Sequence, residues 1–190
     1  MSDQTKRSIM NVELPSWIAE WKAPEPHAGH EERMKAVIDL VRLNIRHRTG
    51  GPFASIIVND DTGAVAGVGL NLVTSLNLSI LHAEMVAIMM AEEAAGTWDL
   101  GATGRYTIYA SAEPCAMCMG AIPWSGLRTL VIGARDEDIR AIGFDEGVKA
   151  DNWIDGYAQR NIHVIRDVCR TESAAALKEY AASGGHIYNG

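Results

Sequence analysis

Two short stretches hold the residues best suited to chemistry. In SAEPCAMCMG, Ser111 to Gly120, Cys115 and Cys118 stand three positions apart directly after Pro114. In LHAEMVA, Glu84 follows His82 two positions on. Proline is well placed at the first position of a helix, where its missing N–H costs nothing, so the spacing predicts a helix opening at PCAMC with both thiols on one face. Thiolates at a helix start are favoured by the helix dipole, which lowers their pKa and suits them to a borderline-soft cation such as zinc. His82, Cys115 and Cys118 then make three ligands and leave the fourth tetrahedral position to water. Such a water loses a proton near neutral pH and becomes a nucleophile, and Glu84 is placed to move that proton.

Each piece alone is ambiguous. A Cys-x-x-Cys pair after a strand also suits thioredoxin-like redox chemistry, and a histidine beside an apolar helix is commonly a satisfied core residue. A fourth cysteine or histidine ligand would make the zinc structural in a non-catalytic binding protein. Cys169 and His163 fall in or beside a late strand, so neither offers itself, and Cys169 reads as a small hydrophobe. His27 and His30, in the proline-rich HAGHEE region, read as a surface loop ahead of a helix.

The remainder of the chain has to position these groups. Its 190 residues, 47% of them hydrophobic, suffice for one domain with a core that needs no disulfides. No charged-then-apolar leader opens the sequence, and runs such as MVAIMMA are too short to span a bilayer, so a cytoplasmic protein without a membrane partner is expected. With 17 Lys and Arg against 24 Asp and Glu, the net charge of -7 disfavours a nucleic-acid partner and favours a small-molecule one.

Residues 1–29, with Pro15, Pro24 and Pro26 around SWIAEW, read as an irregular arm whose tryptophans pack on the body. From His30 to about Arg48, apolar residues at helical spacing predict an amphipathic helix, acidic at its start and basic at its end. PFASIIVN and AVAGVGLN flank NDDTG as an antiparallel hairpin, with GVG at 67–69 marking a closely packed strand. HAEMVAIMMAEEAAG predicts a helix stopped by Gly96, and RYTIYASAE a strand. After the cysteines come a strand at RTLVIGA, a helical turn at DEDIRAI, a short strand at NIHVIRDV and a last helix at ESAAALKEYAA. The alternation predicts an α/β fold with a mixed sheet covered on both faces.

HAE followed by EPCAMCMGAI also resembles the cytidine deaminase superfamily, and within it the branch of bacterial guanine deaminases and tRNA adenosine deaminases. The resemblance runs from roughly Glu31 to the end and leaves the arm unexplained. It implies a three-layer α/β/α domain over residues 30–190 with a five-stranded mixed sheet, a bound Zn2+ and a homodimer, for which the apolar CMGAIPWSG offers a surface. It implies hydrolytic deamination of a free nucleobase, with the segment from Pro123 to Gly147 and the tail GHIYNG leaning toward guanine converted to xanthine and ammonia. Ammeline, a cytosine-like base or a pterin are the alternative substrates, followed by tRNA adenosine. Carried over by position, Glu84 is the proton shuttle and Glu146 a second acid near the departing amino group. Asn71, eleven before His82, bonds the base; Phe53 and Trp124, the latter six after Cys118, line its pocket; and Tyr188 in the tail closes over it. On residue type alone, Phe53 and Trp124 are equally core aromatics, Asn71 a turn residue and Glu146 a solvated charge.

Overall fold

The structure, a computed structural model, describes residues 11–188; residues 1–10 of the expected arm and 189–190 of the tail lie outside the described residues. Helix α1, His30–His47, carries Glu31 and Glu32 in its first turn and Arg46 and His47 in its last, the arrangement its dipole favours. Strands β1, Ala54–Asn59, and β2, Val65–Leu70, form the antiparallel hairpin. A single-turn helix α2, Val73–Leu76, leads to α3, Ala83–Ala95, which Gly96 ends in the left-handed conformation open to glycine. Then follow β3, Tyr106–Ala112; α4, Ala116–Ala121; β4, Thr129–Ala134; and α5, Asp136–Arg140. Helix α6, Trp153–Ala158, strand β5, His163–Ile165, and helix α7, Arg170–Ala182, complete the order.

Two local expectations need correction. Cys115 is itself the N-cap of α4, so Pro114 lies one position before the cap and closes off the extended chain rather than opening the helix. Helix α6 was not foreseen; its apolar residues Trp153, Ile154 and Tyr157 carry a helical spacing within a short, polar-flanked stretch.

The sheet order is β2-β1-β3-β4-β5, antiparallel through the first two pairings and parallel through the last two. Alternation along the central strands sends one set of side chains to each face. Ile56, Val58, Tyr109 and Val131 join Val37 and Val41 of α1 and Ala176 of α7. Ile57, Ile108, Leu130 and Ile132 join Ile88 and Ala91 of α3, Ile122 after α4 and Tyr157 of α6. This is the three-layer α/β/α architecture.

The glycines at 67 and 69 set how closely α3 approaches. A Cβ on Gly69 would stand 1.9 Å from the Ala83 carbonyl oxygen, and one on Gly67 2.4 Å from that of Ala87. The helix backbone therefore rests on the bare strand, and the start of α3, with His82 as its N-cap, is fixed against β2. The segment before α1 is tied to the body as well. Trp17, in a 3-10 turn at Ser16–Glu20, stacks on His47 at 5.3 Å, and Trp21 donates its indole N–H to the Ala36 carbonyl at 2.9 Å. Among the described residues no helix is long and apolar enough to cross a membrane.

Candidate active site

The parallel strands β3 and β4 end on the same side of the sheet, and β3 delivers the chain into the Pro114–Cys115 turn there. The hairpin brings β2 back alongside, so that the loop after it leads into α3 and sets His82 opposite that turn. His82 Nδ1 lies 3.4 Å from Cys115 Sγ, and the ligand atoms of His82, Cys115 and Cys118 all lie within 4.8 Å of one another. A tetrahedral zinc bound at ordinary Zn–S and Zn–N lengths holds its nitrogen and sulfur donors about 3.6 Å apart, so this spacing fits the ion. The chemistry of the donors fits too, with two sulfurs and one imidazole in a largely buried cluster.

Electrostatics in the cluster separate the two thiols. A hydrogen bond with Cys118 pulls the Cys115 thiol down to about 4, against its own burial, and the His82 contact adds to the effect. Cys118, which is fully buried and shares that bond, is pushed up. Burial works against the charged form of His82, yet contact with Cys115 and the charge of Glu84 outweigh it and raise its affinity for a proton. A dication in contact with all three groups favours the two thiolates and the neutral imidazole.

Glu84, in the first turn of α3, accepts a hydrogen bond from Cys118 Sγ at 3.5 Å, and burial raises its carboxyl above the usual range. A carboxyl raised in this way holds and releases a proton closer to neutrality, as a general acid–base requires. Glu146 lies on the loop after α5 with its side chain buried. Burial, followed by the charges of Cys115 and Glu84, lifts it to about 8. The carbonyl of Glu146 also accepts the Ala116 N–H at 3.0 Å, joining this loop to the cysteine turn.

His82, Glu84, Cys115 and Glu146 line a cavity of about 680 Å³ together with Asn71, Phe53, Phe144 and Tyr188, while Cys118 lies buried behind it. Phe53 and Tyr188 each meet the Phe144 ring edge-on, at 5.1 and 5.3 Å between centroids. Asn71, 1% exposed, donates from Nδ2 to the Tyr188 hydroxyl at 2.5 Å, so the tail is drawn across the cavity. Of the site residues expected from sequence, eight meet here: His82, Cys115, Cys118, Glu84, Glu146, Asn71, Phe53 and Tyr188. Trp124 does not. Ile122, Ser125 and Leu127 take the inward positions of the turn after α4, which leaves the Trp124 ring 78% exposed and outside the cavity.

Phe144 and Glu113 are among the lining residues that the sequence did not single out. Phe144 sits inside the GFD segment, where a lone aromatic between glycine and acids gives little signal. Glu113 adjoins the Pro-Cys motif, and the residues that hold it are distant in sequence. Its carboxylate is 4% exposed and takes hydrogen bonds from Lys149 at 3.2 Å and Arg166 at 3.0 Å. Lys149 also donates to the Pro114 carbonyl at 3.3 Å and pairs with Asp136, so one buried cation braces the cysteine turn against the Glu146 loop.

Residues 28–134 match the family described as the cytidine and deoxycytidylate deaminase zinc-binding region. The solved guanine deaminase of Nitrosomonas europaea is 39% identical, with a TM-score of 0.86 over 92% of this chain and 97% of that one. A structure of NE0047 in complex with 2,6-diaminopurine is 41% identical, with a TM-score of 0.87 over 94% of this chain and 96% of that one. Guanine deaminase of Bacillus subtilis (strain 168) is 36% identical over 118 residues, or 62% of this chain and 72% of the relative. Since the matched region runs from the start of α1 through β4 and includes His82, Glu84 and both thiols, the chain belongs to the cytidine and deoxycytidylate deaminase zinc-binding family and is a hydrolase acting on C–N bonds.

Proposed function

We propose that the chain hydrolyses free guanine to xanthine and ammonia, with Zn2+ held by His82, Cys115 and Cys118. One observation carries this reading. A donor set suited to zinc and a buried, proton-accepting Glu84 share a cavity with an aromatic wall and a buried amide, and solved relatives of nearly the same length are a guanine deaminase and a 2,6-diaminopurine complex. Zinc bound there supplies Lewis acidity, lowering the pKa of a water so that it is a nucleophile at neutral pH.

This chain's own residues do the rest. Phe53 and Phe144 give a flat purine apolar cover, and Tyr188 closes the far side. One Nδ2 hydrogen of Asn71 goes to Tyr188; the other is left for an acceptor on the base. Glu84 takes a proton from the attacking water and delivers it to N3 as the new C–O bond forms at C2. It then carries the hydroxyl proton to the exocyclic amino group, the C2–N bond breaks, and ammonia leaves. Glu146, raised to about 8 by burial, lines the same cavity and is the second acid near the departing amino group. The burial of Glu84 and Glu146 strengthens each of these interactions.

Ammonia release from guanine, ammeline, cytosine, a pterin and tRNA tests the proposal, with zinc measured alongside for the wild type, Glu84→Ala and Cys118→Ala. The expected pattern is highest turnover on guanine and one zinc per chain. Glu84→Ala keeps its zinc and loses turnover by about 10²–10⁴, whereas Cys118→Ala loses both. Near-normal turnover by Glu84→Ala refutes the shuttle, full zinc in Cys118→Ala refutes the ligand set, and preference for another arm of the screen replaces guanine.

A further inference from the structure

Asn44 lies in the last turn of α1 and is 0% exposed. An amide is a poor choice there, because it is a weak helix former and its burial costs free energy unless every polar atom is matched. Here they are matched. Nδ2 donates to the carbonyls of Gly51 at 2.8 Å and Asn71 at 3.3 Å, while Oδ1 accepts the Thr49 hydroxyl at 2.5 Å. The Thr49 oxygen in turn accepts the indole N–H of Trp17 at 3.0 Å. A chain of hydrogen bonds thus runs from the segment before α1 to the backbone of Asn71.

The contacts around it leave little play. Gly51 N–H points back to Asn71 Oδ1 at 3.4 Å, and the Asn71 N–H donates to the Phe53 carbonyl at 3.0 Å. A Cβ at Gly50 would lie 1.7 Å from the Asn71 carbonyl oxygen and 3.2 Å from Asn44 Nδ2. Phe53, at the end of the Gly50–Phe53 loop, and Asn71, just after β2, both line the cavity, and the Asn44 amide bridges the carbonyls of Gly51 and Asn71. Leucine is the better helix former but would leave the Gly51 and Asn71 carbonyls without this partner, so the amide's contribution is to join them.

We infer that Asn44 is a positioning residue for base recognition: its buried amide sets Asn71 against the Gly50–Phe53 loop, and Thr49 and Trp17 orient that amide. The inference rests on the reading of Asn71 as the group that bonds the base. It gives the segment before α1 a task the cavity itself does not reveal.

A double-mutant cycle on the zinc-loaded full-length protein tests it, with guanine kcat/KM, zinc content and Tm as readouts. Asn44→Leu alone is expected to keep its zinc and lower kcat/KM about tenfold, the scale of one misdirected hydrogen bond to a ligand. Combined with Asn71→Ala, it is expected to add less than about twofold, because a residue acting only through Asn71 has nothing left to position. A purely structural role would instead multiply the two losses in full, and that result overturns the inference. So does wild-type kcat/KM in Asn44→Leu while Asn71→Ala is impaired. Unchanged kinetics in Asn71→Ala itself removes the base-contact reading and the inference with it, an outcome visible in that single variant. Should Asn44→Leu fail to fold, Thr49→Val takes its place in the same cycle, with about a threefold loss expected and recovery in Thr49→Ser; a loss that multiplies in the Asn71→Ala background, or no loss at all, overturns the proposal equally.

Discussion

Gly69→Ala tests whether the register of α3 on the sheet governs the chemistry. The added Cβ would sit 1.9 Å from the Ala83 carbonyl oxygen, 2.5 Å from the Ala87 nitrogen and 2.8 Å from the Ala87 Cβ. Two of these neighbours are helix backbone, which cannot swing aside as a side chain would. Restoring an ordinary contact near 3.4 Å requires the helix start and β2 to part by about 1.5 Å. Overpacking of this kind costs about 1–3 kcal/mol, which for a chain of this size lowers Tm by roughly 2–12 °C. Because β2 is the edge strand, part of the displacement passes into it, and the lower half of that range is expected. The remainder moves His82 and Glu84 away from Cys115 and Cys118. A misplacement near 1 Å costs on the order of 10² in rate, so kcat should fall far more than stability does. Calorimetry, zinc analysis and steady-state guanine kinetics measure this, with Gly120→Ala as the control, since a Cβ there meets nothing within 4 Å. A Gly69→Ala protein with wild-type Tm and wild-type kcat refutes the claim that this contact fixes the site.

Other outcomes follow from the same geometry. Deleting residues 186–190 removes the Tyr188 contacts with Asn71 and Phe144 and is expected to cut guanine turnover severely while zinc content and Tm stay nearly unchanged; wild-type kinetics would remove Tyr188 from the site. A hydrogen bond from Arg170 holds the Asp138 carboxyl below the usual carboxylate range. A depressed folded-state value stabilises the protein above the unfolded value near 3.9 and loses that contribution as pH falls through the folded one. Denaturant titrations of the wild type should therefore steepen in pH dependence below about pH 4, and Arg170→Met should flatten that limb; identical profiles would show that the pair contributes nothing. The exposed Trp124 ring suits the homodimer implied by the resemblance, so light scattering at micromolar concentration should give a dimer that Trp124→Ser weakens, and a wild-type monomer counts against it.

The order of elements, helices α2 and α6 apart, was legible because it rests on short-range physics. Amphipathic spacing in α1, the turn-rich NDDTG between β1 and β2, and Gly96 after α3 each act over a few residues. The metal cluster was legible for a different reason: few chemistries combine His-x-Glu with Pro-Cys-x-x-Cys, so residue type and order alone narrow it. The tertiary structure decided what depends on contact between distant segments. Cys115 caps α4 because β3 stays paired as far as Ala112 and the chain is still extended at Pro114, a boundary that the PCAMC pattern leaves open. Trp124 faces outward although aromatic type and position both suggested a pocket, since Ile122 and Leu127 compete for the interior and win it. Glu113 depends on Lys149 and Arg166, and Asn71 on Asn44 and Tyr188; these partners come from different elements and follow no sequence period. Local spacing specifies which groups are available for the chemistry. Their relative placement comes from long-range packing, above all the bare glycine surface of β2 that seats α3 and the buried amide of Asn44 that joins the carbonyls of Gly51 and Asn71.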